Sequence, residues 1–302
     1  MNLTDERIVV TGANGWLGRE IIYRLIQQNL GGSILALGRS NSVLKFPEYE
    51  ALAVHQWSST DVASWNPTAL VHLAALTKER LVGMSAKTYI DENETLTELA
   101  LRIAHLNSVR SVVIASSGAS VTQLDHPYGK HKAVEEKVFQ SAMSSLGKAL
   151  VVARIWSVSG RFCTKPEHFL LFDLLRQTID ESNFIEIKAK HHVYRKYVDG
   201  GEFLEICLRA ACAGHSGTID STGELVEAGD LATTIQDTLH KSKEVHRILD
   251  VEERDSYLSD SEEMDKWSKI TGVVVSSLPK QIIRSRNAIN PLLNPGSSFE
   301  KM

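Results

Sequence analysis

The stretch "RIVVTGANGWLGREIIYRLIQQ" constrains this chain more than any other. A short apolar run, 7–12, ends at Gly12. Leu17, Ile21 and Leu25 then recur at helical spacing, with Ile22 and Ile26 widening the stripe. A buried strand that turns at once into an amphipathic helix needs a tight corner, and Gly12, Gly15 and Gly18 occupy it. Gly12 can make the turn, Gly15 leaves backbone N–H groups without a Cβ in front of them, and Gly18 lets helix lie close on strand. A helix N-terminus there offers unpaired donors and a positive dipole end, which suits a pyrophosphate. Strand, glycine corner and helix in this order form the context of a dinucleotide fingerprint. Asn14, Trp16 and Leu17, set between the glycines, are expected to share the cofactor contact.

The same alternation continues. Apolar, β-rich runs at 33–38, 69–75, 111–116 and 149–155 read as buried parallel strands, with "ALAVHQW" (51–57) a weaker sixth. "ETLTELALRIAHL" and "YGKHKAVEEKVFQSAMSSLG" carry helical periodicity, and the second ends at Gly147, a C-cap residue. Strand and helix in alternation imply right-handed crossovers and an α/β, Rossmann-type doubly wound parallel sheet. The rhythm changes after about residue 157. We therefore expect a dinucleotide-binding core over 1–157, and over 158–302 a small C-terminal substrate-binding lobe, with one or more segments returning to the core. Within the lobe, 161–184 reads as a loop and short helix, 191–214 as a strand or turn entering a helix, and 218–225 as a strand and turn before another helix. The tail "NPLLNPGSSFEKM" reads as frayed.

Composition excludes several function classes. A formal charge of −4 over 302 residues lacks the basic footprint of a nucleic-acid binder. No apolar run reaches the roughly 18 residues of a membrane span. Cys163, Cys207 and Cys212 form no CxxC pair and read as reduced thiols in or near the core, so a cytoplasmic protein is expected. His191-His192 lack a third ligand at a recognisable spacing, and no metal is expected. His126 and His131 are expected at the surface, and the run "DVEERDSYLSDSEEMDKW" as a solvated helix face.

Six motifs stand in a fixed order: "TGANGWLG", "VHLAA" (71–75), "IASSG" (114–118), "YGKHK" (128–132), "RIWSVSG" (154–160) and "TIDSTGE" (218–224). In this order and spacing they resemble the extended short-chain dehydrogenase/reductases, the NAD-dependent epimerase/dehydratase family of nucleotide-sugar enzymes. The resemblance runs from about residue 7 to about 235. It implies that Leu73, Ala74 and Ala75 line the cofactor, with Thr77 just beyond. It implies that Asn93 helps to order a proton-relay water, and that Asp61-Val62 read adenine, with Trp57 and Ser58 competing for that alignment. It also implies a homodimer formed through the two helices named above.

The second strand ends in "ALGRS". A carboxylate there would chelate ribose hydroxyls and favour NAD; this chain has Arg39 and Ser40, and an arginine fork suits a 2′-phosphate. NADP is therefore expected, with NAD the alternative. Tyr128 and Lys132 are four apart and share a helix face. A phenol ordinarily titrates near 10, and a neighbouring ammonium stabilises its phenolate, which equips such a pair for acid/base work on a carbonyl or hydroxyl. The third member is a hydroxyl at the end of the fifth strand: Ser117, with Ser116 the alternative. The loop from Ser117 to Tyr128 is shorter than is typical of an epimerase. In "VYRKYVDGGEF", Arg195 is expected on the diphosphate of a nucleotide sugar, although Gly200 and Gly201 depart from the family pattern. Lys165, His168 and Phe169 fall in the remaining pocket segment without assigned roles.

The expectation is an NADP-dependent oxidoreductase that reduces a keto group on a nucleotide-linked sugar, as in O-antigen or other cell-surface sugar biosynthesis. A C4 epimerase holding NAD is the alternative. A non-catalytic NADP-binding regulator is disfavoured because Tyr128 and Lys132 are both present.

Overall fold

The computed structural model describes residues 2–46 and 48–289. The expectation for the tail, 290–302, lies outside them. The chain opens with β1 (Ile8–Thr11), α1 (Trp16–Ile26), β2 (Ile34–Gly38), β3 (Ser42–Leu44), β4 (Leu52–Gln56) and β5 (Ala69–His72). It continues with α2 (Ala86–Ala104), β6 (Ser111–Ser117), α3 (Ala119–Thr122), α4 (Pro127–Leu146) and β7 (Ala149–Ile155). Next come β8 (Val158–Ser159), α5 (Leu170–Ile179), β9 (Phe184–Ile187), β10 (His192–Asp199), α6 (Gly200–Cys212) and β11 (Gly217–Asp220). The last are β12 (Glu224–Glu227), α7 (Ala228–Leu239), β13 (Glu244–Arg247), β14 (Arg254–Ser256), α8 (Glu263–Thr271) and α9 (Leu278–Ile289).

The chain divides into two compact units. The first takes the chain up to Ile155 together with Gly201–Asp220 and Ser261–Val274. The second takes Trp156–Gly200, Ser221–Asp260 and the chain from Val275.

The first unit is built on an eight-stranded sheet in the order β11-β7-β6-β5-β1-β2-β4-β3. Every pair in it is parallel except β3 with β4. Strand order reverses at β1, between β5 and β2, and an open α/β sheet receives ligands at such a switch point. The central strands are apolar up to their last residues, Thr11 in β1 and His72 in β5, because both faces are covered: every residue of β1, β2 and β5 is buried. Val9, Leu70, Val112, Ile114 and Val152 form one core with Ala100 and Ile103 of α2 and Phe139 and Met143 of α4. Burial of each large side chain there stabilises the fold by roughly 1.5–3 kcal/mol.

Local signals set the helix ends. Ser85 caps α2 by accepting from Thr88 N, so the helix begins well before the apolar periodicity that revealed it. Pro127 opens α4, His126 Nδ1 accepts from Tyr128 N, and Gly147 closes the helix at φ 63°, as its sequence signal predicts.

The second unit holds β12, β10 and β14 side by side, with β8 also on β10, and a separate β9–β13 pair. Glu227 ends β12 and starts α7. It accepts from Gly229 N and Val193 N and pairs with Arg247, and these contacts outweigh the cost of burial and pull its carboxyl down to about 2. The run 250–267, expected as one solvated helix face, is divided: β14 pairs with β10, and helix begins only at Glu263. The run lacks a sustained apolar stripe, so strand pairing decides its first half.

Candidate active site

The glycine corner closes as its sequence requires. Gly12 has φ 69°, and a Cβ there would stand 2.8 Å from the backbone of Leu73 and Ala74. A Cβ on Gly18 would lie 2.2 Å from the Gly12 carbonyl oxygen, so helix α1 packs directly on the turn. Leu73, Ala74 and Ala75 follow β5 and are half-buried beside this corner. Trp16 opens α1, Leu17 is half-buried, and Asn14 exchanges hydrogen bonds with Ser42 at 3.1 Å. A Cβ on Gly38 would meet Asn14 Nδ2 at 2.9 Å, so the end of β2, where Arg39 and Ser40 are exposed, adjoins the corner. Asp61 is also exposed, and its carboxylate accepts from Ser64 N at 3.2 Å. Thr77 is exposed beyond the loop after β5, and Trp57 packs against the core.

Tyr128 and Lys132 project from the first two turns of α4. Gly129 between them is obligatory, because a Cβ there would stand 2.2 Å from the Gln123 carbonyl oxygen and 2.5 Å from that of Ala119. Tyr128 is half-buried and Lys132 is buried. Lys132 Nζ donates to the Ala115 carbonyl oxygen at 2.9 Å and to Glu135 Oε2 at 2.7 Å. Burial opposes its charge, but Glu135, then Tyr128 and Glu136, more than offset this and raise its pKa.

The two serines at the end of β6 part company. Ser116 donates to Glu136, which also receives Ser120 at 2.7 Å and Arg154 Nη2 at 2.7 Å. Strand alternation sends Ser117 to the other face, where its Oγ accepts from Ala119 N at 3.3 Å.

Two expected site residues, Asn93 and Arg195, are engaged within the chain itself, and the expectation for His131 needs correction. Asn93 is buried with its amide engaged: Oδ1 accepts from Leu76 N at 2.8 Å and Nδ2 donates to the Tyr89 carbonyl at 3.0 Å. Its amide thus braces the chain after β5. Tyr89 adds a second brace through its hydroxyl on the Leu76 carbonyl at 2.6 Å. Arg195 lies in the second unit, where both its terminal nitrogens bond Asp255, at 3.1 and 2.7 Å. Its charge is offset by a carboxylate of the very run read as a solvated face. His126 is exposed as expected, but His131 is buried, because α4 turns it inward next to Lys132.

Burial, opposed only in part by Glu135, lowers the His131 pKa from 6.5 to about 4. The unfolded chain therefore takes up this proton first as pH falls. The stability at stake, on the order of 3 kcal/mol, is complete above pH 6.5 and lost on descent to about pH 4. Urea midpoints of the wild-type chain are expected to fall through this window, and His131→Leu to fall less steeply. Parallel curves would contradict the assignment.

Sequence reading missed Thr11, His72, Glu135 and Glu136. Thr11 Oγ1 stands 2.8 Å from His72 Nδ1 and accepts from Leu73 N and Ala74 N. The "VHLAA" motif contained His72, but nothing local marked Glu135 as buried.

A parallel sheet, a glycine corner at its switch point and a Tyr–Lys pair on the helix after the serine strand define an NAD(P)-dependent enzyme of the short-chain dehydrogenase/reductase type. The chain belongs to the NAD dependent epimerase/dehydratase family, which it matches over residues 8–219. No curated protein matches it in sequence. Its fold is similar to that of UDP-N-acetylglucosamine 4-epimerase from Methanobrevibacter ruminantium, solved with UDP-N-acetylmuramic acid (TM-score 0.72, 20% identity, 94% of this chain and 97% of that one). A UDP-glucose 4-epimerase gives a TM-score of 0.73 at 14% identity, over 97% and 99% of the two chains. UDP-glucose 4-epimerase from Thermus thermophilus, solved with NAD, gives 0.68 at 17%, over 93% and 98%. Among the described residues, no helix is long and apolar enough to cross a membrane.

Proposed function

We propose that the protein is an NADP-dependent oxidoreductase that reduces a keto group on a nucleotide-linked sugar. The observation that carries this reading is the placement of Tyr128 and Lys132 on one face of α4, with Lys132 anchored on the β6 carbonyl of Ala115 just before Ser116 and Ser117. The bound dinucleotide supplies the hydride. Tyr128 gives a proton to the carbonyl oxygen, Ser117 donates a hydrogen bond to that oxygen, and Lys132 supplies the positive charge that favours the phenolate left behind. Gly12, Gly15 and Gly18 hold the pyrophosphate at the start of α1.

Arg39 supports NADP. It is exposed and makes no hydrogen bond or ion pair with the described residues, so its fork is available to a 2′-phosphate, with Ser40 beside it. Arg39→Asp is expected to reverse the preference from NADPH to NADH by at least about 10-fold in Kd, roughly the value of one charge-assisted pair. Fluorescence titration with both cofactors measures it, and an unchanged preference would sink the NADP reading.

A second reading, C4 epimerisation with retained NAD, is favoured by the structural neighbours, which include UDP-sugar 4-epimerases, one of them solved with NAD. NADPH consumption with a nucleotide-linked 4-keto sugar supports reduction; C4 inversion of UDP-glucose without net cofactor consumption supports epimerisation. Two further features complete the proposal. Val134 and Val138, exposed one turn apart on α4, support a homodimer. The free thiols of Cys163, Cys207 and Cys212 fit a reducing, cytoplasmic setting.

A further inference from the structure

The charged interior behind Tyr128 contains more than the reaction needs. Glu135, on α4, is 2% exposed, and its Oε2 receives Lys132 Nζ at 2.7 Å. Its Oε1 lies 3.1 Å from the Thr97 hydroxyl of α2, whose proton it shares with the Asn93 carbonyl at 3.0 Å. The same Oε1 stands 3.5 Å from His72 Nε2 of β5. Hydrogen-bond accounting fixes the rest of the chain. The Leu73 and Ala74 N–H groups occupy both lone pairs of Thr11 Oγ1, so Thr11 donates its proton to His72 Nδ1. His72 Nε2 faces Glu135 across that 3.5 Å without a hydrogen bond to it.

A lysine ammonium has three donors. Two of those on Lys132 are bound to Ala115 and Glu135, which leaves one. We propose that Glu135 is a positioning residue that fixes the Lys132 ammonium in its charged form, with a single donor left for the active site. The inference rests on the reading of Tyr128 and Lys132 as the chemical pair.

Burial makes the counter-charge necessary. A lysine with no exposure and no carboxylate beside it gives up its proton several pH units early. The other titratable or charged groups around the pair are His72 from β5, Tyr89 from α2, and His131, Tyr128 and Glu136 from α4. Glu136 bonds Arg154 and the serines, and His131 is held neutral by burial, so neither replaces Glu135 as the direct partner of the ammonium.

The test is a pH titration of the full chain labelled with ¹³C at lysine Cε, with the Lys132 signal assigned from Lys132→Arg. In the wild type the signal is expected to hold constant from about pH 6 to 10. In Glu135→Gln it is expected to titrate inside that window, and Glu135→Asp is expected to move it part of the way back toward wild type. A Glu135→Gln signal as constant as wild type would overturn the inference. Should the Gln variant fail to fold, Glu135→Asp, which keeps the carboxylate but draws it back by one methylene from Lys132 Nζ, is titrated instead. A shift toward lower pH supports the proposal and a wild-type curve overturns it. The readout needs no substrate, so it is separable from the parent reading: full turnover by Tyr128→Phe would remove the chemical pair while the titration still decides the Lys132–Glu135 link.

Discussion

Tyr128→Phe is expected to cut turnover of a nucleotide-linked sugar by about 10²–10⁴-fold, the usual contribution of a positioned general acid or base. The substitution removes one oxygen and keeps the ring. Tyr128 sits half-buried in the first turn of α4, held there by its backbone N–H on His126 Nδ1 and by Pro127 at the helix start. None of these contacts uses the hydroxyl, so urea stability and dinucleotide affinity are expected to stay close to wild type. The loss should fall on kcat with little change in KM, because the proton moves only in the chemical step. A matching loss of dinucleotide affinity would instead mean that the phenol holds the cofactor.

Gly18→Ala has the largest expected effect on the fold. The new Cβ would stand 2.2 Å from the Gly12 carbonyl oxygen and 2.8 Å from Ala13 Cα, and both are backbone atoms with nowhere to move. Helix α1 must lift from the corner. The cost is about 3 kcal/mol, at the upper end for overpacking. The displaced helix start also no longer meets a pyrophosphate, and a misplacement of about 1 Å is enough for a roughly 100-fold loss. Gly32→Ala is the control, since a Cβ there meets nothing within 4 Å. Urea unfolding and NADPH fluorescence titration read the two effects, and a Gly18→Ala chain that binds as well as Gly32→Ala would show that the corner is not the cradle.

The glycine corner was legible because steric demand acts locally, over seven residues from Gly12 to Gly18. The parallel strands were legible because burial on both faces leaves a continuous apolar run, Ile8–Val10 in β1 and Ala69–Val71 in β5. Short or polar elements left no such trace. β3 has three residues and only Leu44 buried, and the first half of α2, "AKTYIDEN", carries few apolar positions. Tyr128 and Lys132 could be read from spacing along one helix. Their support could not. Glu135 three residues after Lys132 looks like a solvated pair, and only the packing of β5 and α2 against α4 makes it a buried one. The partners of Asn93 and Arg195 were illegible for the same reason: each is engaged by a residue distant in sequence, Leu76 for the one and Asp255 on a neighbouring strand for the other.

Passage of hydride between a nicotinamide ring and a nucleotide-linked sugar is tested most directly by isotope transfer. The full chain is incubated with a UDP-linked 4-keto sugar and NADPH deuterated on one or the other face of nicotinamide C4, and the sugar product is read by mass spectrometry and NMR. The expected result is one deuterium on the reduced sugar carbon, from one face only, with transfer slowed by about 10²–10⁴-fold in Tyr128→Phe. A sugar recovered without label from both deuterated cofactors, by a chain shown to bind NADPH, would contradict the account.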